Sequence, residues 1–330
     1  MSAGLHPVTS EAVVEATPWL VALLLVPLTH LGSVLIIVPA LGLAYFRRPR
    51  LVAPWLGAVA GYYSVMAGIK SLNSATRPEV APPISPEPYP EAFSFWYEHA
   101  TSISSTSFPS GNVMVATVLA GLIALDTEIG TFKQRLVGGA SFVAVIAYSR
   151  VGLGVHYPID AVGGILLGVG FLSVVVFVRN RARDEVAAVF ALAAVCAAWS
   201  LWVTTPITEP PALESIAGSN RTIAFGGAVG ALVSWRLTNQ YADRVDPETS
   251  SILSVILVGA AVAAYVGISG VSSPLLLMLR SALFAGAMIA LPWVLPNRFR
   301  PVEAQLGVGQ SDRTISIPPR IPVALCGVHQ

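Results

Sequence analysis

The sequence predicts an all-α protein: a polytopic integral membrane bundle of helices. Three observations carry this. Apolar residues make up 54% of the 330 residues and charged residues only 11%, where soluble domains carry about 25%. Apolar runs approaching the ~20 residues needed to cross hydrocarbon recur along the chain. The polar groups gather at the ends of those runs rather than alternating with them.

In chain order, the apolar run from Pro18 to Leu28 is short and reads as an interfacial helix within an N-terminal segment, 1–29, that can extend into a further span. No cleavable signal is expected, because this apolar stretch is not preceded by Lys or Arg and runs almost directly into the next. Spans are expected near 30–46, 51–69, 110–125, 134–149, 158–178, 185–204, 220–237, 251–269 and 275–295. Residues 30–184 form a core and 185–295 an accessory block of about four further spans. Gly226, Gly227 and Gly230, and the Ala/Gly-rich run from Gly259 to Gly270, suit close helix packing there. Residues 296–330, with several prolines and scattered charges, read as a cytoplasmic tail of low order.

The positive charges orient this bundle. Arg47, Arg48 and Arg50, Lys133 and Arg135, Arg179, Arg181 and Arg183, Arg236 and Arg244, and Arg298 and Arg300 fall in alternate loops, on the same side as Arg313 and Arg320. The positive-inside rule places that side in the cytoplasm of a multi-pass cell-membrane protein. Lys70, Arg77 and Arg150 defy the bias at the outer surface. A net charge of +1 without a basic stripe gives no reason to expect a nucleic-acid partner. Cys196 and Cys326 show neither a disulfide framework nor metal spacing.

Three polar clusters stand out: Lys70 with Arg77-Pro78, then Pro109-Ser110-Gly111-Asn112, then Ser149-Arg150 with His156 and Asp160. Lys70 ends the second span, Ser110 begins the third, Arg150 ends the fourth and Asp160 begins the fifth, so all three clusters share one membrane face. Charged groups at such depth are costly unless they converge on something polar. Lys70, Arg77 and Arg150 can neutralise a phosphate, the guanidiniums with forked donors. Ser110 and the Gly111 amide can complete the cradle at a helix N-terminus. Asp160, four residues after His156, can accept from one imidazole nitrogen and leave the other as a nucleophile.

Together these clusters read K-x6-RP, PSG and SR-x5-H-x3-D, and the chain thereby resembles the type 2 phosphatidic acid phosphatase (PAP2) family, related to vanadium haloperoxidases. The resemblance covers roughly residues 30–178. It implies a metal-free, cofactor-free hydrolase of a lipid phosphate or prenyl diphosphate in the bilayer, acting at an extracytoplasmic site through a phosphohistidine intermediate. It implies Lys70, Arg77, Ser110, Gly111 and Arg150 as phosphate ligands, His156 as nucleophile and Asp160 as its orienting partner.

The departure is Asn112, where the family carries a histidine that protonates the leaving oxygen. Asparagine donates a hydrogen bond but transfers no proton near neutral pH, and general acid catalysis contributes about 10²–10⁴ in rate. Three explanations stand side by side. The substrate has a good leaving group, as in a prenyl diphosphate; another group, such as His99 or Glu98, supplies the proton; or the chain is catalytically impaired and binds or transports phospholipid, with Asn112 still contacting the substrate.

Residues 78–109 read as an outer loop. Pro78, Pro82, Pro83, Pro86, Pro88 and Pro90 argue against one continuous helix. Phe93, Phe95, Trp96 and Tyr97 suit an interfacial anchor or a lid over a headgroup. Arg280, within a span, reads as a residue snorkelling toward the outer face or pairing with a phosphate or Glu214. The accessory block suits packing, substrate access or dimerisation, which leaves a homo-oligomer open.

Overall fold

The computed structural model describes residues 6–85, 87, 89–102, 105–204, 220–239, 256, 259–260 and 273–294. They form helices and no strands: α1 (His6–Glu15), α2 (Trp19–His30), α3 (Val34–Arg47), α4 (Pro49–Ser71), α5 (Glu91–Thr101), α6 (Gly111–Asp126), α7 (Phe132–Gly152), α8 (Pro158–Arg181), α9 (Glu185–Thr204), α10 (Asn220–Thr238) and α11 (Pro274–Val294). Most of the expected span at 251–269, together with Glu214 and the tail 296–330, lies outside the described residues.

The helix boundaries follow local chemistry. Ser33 caps α3, its hydroxyl accepting from the Leu35 amide. Thr131 and Gln134 close a capping box at the start of α7. Pro49 and Pro158 occupy the first turns of α4 and α8, where a missing N–H costs nothing.

Among the described residues, four helices are long and apolar enough to cross a membrane: α4, α8, α9 and, in α11, Leu275–Trp293. The pair α2 and α3 meets that test together as one span broken by a 48° bend. The helices at the expected spans 134–149 and 220–237, α7 and α10, do not meet that test. The Pro18–Leu28 run falls in α2, which a break at residues 31–33 separates from α3. The expected span at 110–125 is the shorter helix α6, about 24 Å long at 1.5 Å per residue. Hydropathy alone does not separate a helix sunk among other helices from one facing lipid, and α6 is sunk: Val113 to Val118 are all buried.

The main core gathers α4, α6, α8 and α9, with Trp235 of α10 and Ile289 and Trp293 of α11 packed against it. Two smaller clusters pack α2 against α5 and the segment 153–155, and α6 against α7 and α8. At the end of the bundle away from Ser110, Asp126 accepts from the Trp55 indole at 2.7 Å and from Arg179 at 2.8 Å. Gly226 and Gly230 allow α10 to close on α11, as expected: a Cβ at Gly230 would stand 2.0 Å from the Ala282 carbonyl. The outer loop holds a helix that its prolines conceal. They end by residue 90, and the aromatic cluster is α5, with Tyr97 buried and its hydroxyl donating to the Ile84 carbonyl.

Candidate active site

The helix ends carrying the three clusters meet. The Ser110 amide donates to the Asp160 carbonyl at 3.0 Å, which ties the N-terminus of α6 to that of α8. Lys70, in the last turn of α4, donates its ammonium to the carbonyl of Thr106, and the Thr106 hydroxyl returns a bond to the Lys70 carbonyl. Arg77 reaches from the loop after α4 into the segments before α6 and α8. Nε donates to the Ser105 carbonyl at 2.8 Å, and NH2 reaches the Ser105 hydroxyl and the Thr106 carbonyl. NH1 donates to the Val155 carbonyl at 2.6 Å and faces His156 Nε2 at 3.3 Å. Burial lowers the Arg77 guanidinium to about 10, which leaves it charged near neutral pH.

His156 and Asp160 are 3% and 2% exposed. His156 Nδ1 lies 3.3 Å from Asp160 Oδ2, which also accepts from the Tyr157 amide at 2.8 Å and from the Ser107 hydroxyl. These contacts select a tautomer. A carboxylate accepts and a guanidinium only donates, so the imidazole carries its proton on Nδ1 and a lone pair on Nε2. Burial, reinforced by the charges of Arg150 and Arg77, holds the imidazole well below its ordinary value of 6.5, although its bond to Asp160 opposes this. The ring is therefore neutral and aims a lone pair at the cationic side of the site.

Among the buried polar atoms of these helix ends, Ser110 Oγ and Arg150 Nε make no hydrogen bond. An unsatisfied buried donor costs about 1–3 kcal/mol. Here both belong to groups that can donate to an anion's oxygens. Gly111 opens α6 behind Ser110, and the nearest atoms to a Cβ there would be those of the Met66 side chain, at 3.4 Å or more. Arg150 is held by NH1, which donates to the Thr29 hydroxyl at 3.0 Å and the Ala100 carbonyl at 3.2 Å. Among the described residues, no group of three or more His, Cys, Asp or Glu side chains could hold a metal ion.

Of the seven residues expected to bind phosphate or act on it, Lys70, Ser110, Gly111, Arg150 and Asp160 lie at these helix ends, and Arg77 and His156 lie in the segments that adjoin them. Asn112 is different: its amide donates to the Thr29 carbonyl at 3.1 Å and so secures the end of α2. His99 and Glu98 lie on the exposed side of α5, and His99 Nδ1 faces the Phe95 carbonyl at 3.1 Å. Sequence reasoning missed Ser107 and Thr29. Ser107 is one of many hydroxyls in the run from Thr101 to Ser107, and Thr29 lies far from every cluster in sequence. No local pattern marks either.

Residues 51–184 match the family model described as the PAP2 superfamily. Over 126 residues the chain is 31% identical to an undecaprenyl-diphosphatase of Sulfolobus acidocaldarius, an alignment covering 38% of this chain and 50% of that protein. The chain thus spans about half the length of the curated relative it matches. A solved transmembrane PAP2 type phosphatidylglycerolphosphate phosphatase from Bacillus subtilis is similar at 23% identity and a TM-score of 0.43, over 54% of this chain and 86% of that one.

Proposed function

We propose, from the match of residues 51–184 to the PAP2 superfamily model, that this chain is a multi-pass membrane phosphatase of that family. Its substrate is a lipid phosphate or prenyl diphosphate. The observation that carries this reading is the buried His156, fixed as the Nδ1–H tautomer between Asp160 and Arg77. The similarity to an undecaprenyl-diphosphatase supports a prenyl diphosphate as a substrate class.

The reaction runs in two displacements. The phosphate docks between Arg77, Arg150, Ser110 and the Gly111 amide, with Lys70 adding charge and holding the Thr106 segment in place. A phosphate oxygen arriving at Arg77 NH1 takes the hydrogen now aimed at His156 Nε2 and uncovers its lone pair. Nε2 then attacks phosphorus, the bond to the leaving oxygen breaks, and Asp160 stabilises the charge that develops on the imidazole. Water attacks the phosphohistidine and releases phosphate. The charge bias of the loops supports an extracytoplasmic site in the cell membrane.

A second reading, a PAP2-like protein that binds or transports phospholipid without hydrolysis, draws on Asn112, which is engaged with the Thr29 carbonyl and carries no transferable proton. Phosphate release from detergent-purified protein, measured on a prenyl diphosphate and on phosphatidic acid with His156→Ala as control, separates the two. Release above that control supports the phosphatase; none on either lipid sinks it.

A further inference from the structure

We propose that His30, at the end of α2, is the proton donor to the leaving oxygen and takes the role that Asn112 cannot fill. The proposal rests on the phosphatase reading above. It draws on a helix outside residues 51–184, and no sequence pattern links His30 to the three clusters.

Four contacts place His30 beside the cradle. Thr29, its neighbour in α2, accepts from Arg150 with its hydroxyl and from Asn112 with its carbonyl. His30 Nε2 lies 2.8 Å from the Trp96 carbonyl, while Arg150 NH1 reaches the Ala100 carbonyl. Trp96 and Ala100 are one turn apart on α5, so the His30 imidazole and the Arg150 guanidinium sit on successive turns, roughly 5–6 Å apart along that helix. That is about the width of one phosphoryl group with its hydrogen bonds. Arg150 and His99 are the charged or titratable groups near enough to His30 to affect its charge.

The far side of His30 is apolar. The ring is buried and lines a cavity of about 490 Å³ together with Leu23, Val26, Phe93 and Trp96. In a lipid phosphate ester the leaving oxygen is the atom that joins phosphate to the hydrocarbon-bearing part. A proton donor must stand at that junction, and His30 stands between a phosphate-binding arginine and an apolar chamber.

The ring is oriented for the task. A carbonyl accepts only, so Nε2 carries hydrogen toward Trp96 and Nδ1 is the nitrogen that exchanges a proton. A bound phosphate offsets the charge of Arg150 and favours the imidazolium. As the His156 Nε2–P bond forms and the P–O bond breaks, the leaving oxygen takes the Nδ1 proton of His30. In the second step water forms the new O–P bond, the N–P bond breaks, and the water proton returns to His30. The net reaction is phosphoester plus water to alcohol plus phosphate. Asn112 thus has a different task from the histidine it replaces: it anchors the α2 carbonyl next to the donor.

The test compares two lipids that differ in leaving group. Phosphatidic acid expels a glycerolipid alkoxide that needs a proton; a prenyl diphosphate expels a phosphate oxygen that does not. His30→Gln keeps an N–H donor for the Trp96 carbonyl but cannot transfer a proton. It should lower kcat on phosphatidic acid by about 10²–10⁴-fold and on the diphosphate by less than about tenfold. Adding Asn112→His to His30→Gln should restore hydrolysis of phosphatidic acid, which a merely misfolded variant would not show. Equal losses on both lipids, no loss on either, or the selective loss appearing in His99→Gln instead overturns the role of His30. So does native protein that cleaves only the diphosphate, a result that leaves the phosphatase reading intact. No hydrolysis of either lipid by the native protein overturns both.

Discussion

A Cβ at Gly164 would stand 2.7 Å from the carbonyl oxygen of Ser110. The first two turns of α8 therefore press against the N-terminus of α6, and Gly168 repeats the approach against Thr117 one turn later. This contact sets the distance between Ser110, the proposed phosphate ligand, and Asp160, the proposed partner of His156. Gly164→Ala should cost about 1–3 kcal/mol through overpacking. We expect both a lower thermal midpoint in detergent and a lower kcat. A lowered midpoint with unchanged kcat would show that the site tolerates the shift.

Asp160→Asn tests the tautomer. An amide at that position can donate to Nδ1, which moves the imidazole proton to Nε2 and blocks the nucleophile. We expect kcat to fall by about 10²–10⁴-fold, the size seen when the orienting carboxylate of a catalytic histidine is replaced. Steady-state kinetics on the better of the two lipids reads this directly.

Ser107→Ala removes the hydroxyl that donates to Asp160. Hydrogen bonds to charged groups contribute about 1.5–3 kcal/mol, so the expected fall in kcat is roughly 10- to 100-fold. KM should change little, because Ser107 faces the carboxylate. A change confined to KM would place Ser107 among the phosphate ligands instead.

The neutral His156 makes stability depend on pH. The unfolded imidazole titrates near 6.5 and the buried one well below it. Below about 6.5 the unfolded chain binds a proton that the folded chain does not, so stability falls as pH falls. Above about 6.5 both states are neutral and the contribution is fully present. The thermal midpoint in detergent should drop between about pH 7 and pH 5, and His156→Asn should flatten that drop. An unchanged slope in the variant would show that His156 is protonated in the folded state.

Much of this architecture was legible in the sequence because its signals are local. Lys70, Ser110, Arg150 and Asp160 mark helix ends, and antiparallel neighbours bring alternate ends together. Helix α5 was hidden behind six prolines that end just where it begins. The bend between α2 and α3 was hidden because a short helix break looks like continuous hydropathy. Thr29, 121 residues from its partner Arg150, could not be read from spacing at all. Nor could the task of Asn112: the substitution is visible in the motif, but its partner belongs to a helix outside that motif.

Rapid quenching of the protein after mixing with a phosphate-labelled lipid, followed by mapping of the label by mass spectrometry, reads the phosphohistidine itself. Acid-labile phosphate is expected on His156, formed and consumed at the rate of turnover and absent from His156→Ala. Steady turnover with no label on His156, and activity retained in His156→Ala, would contradict it.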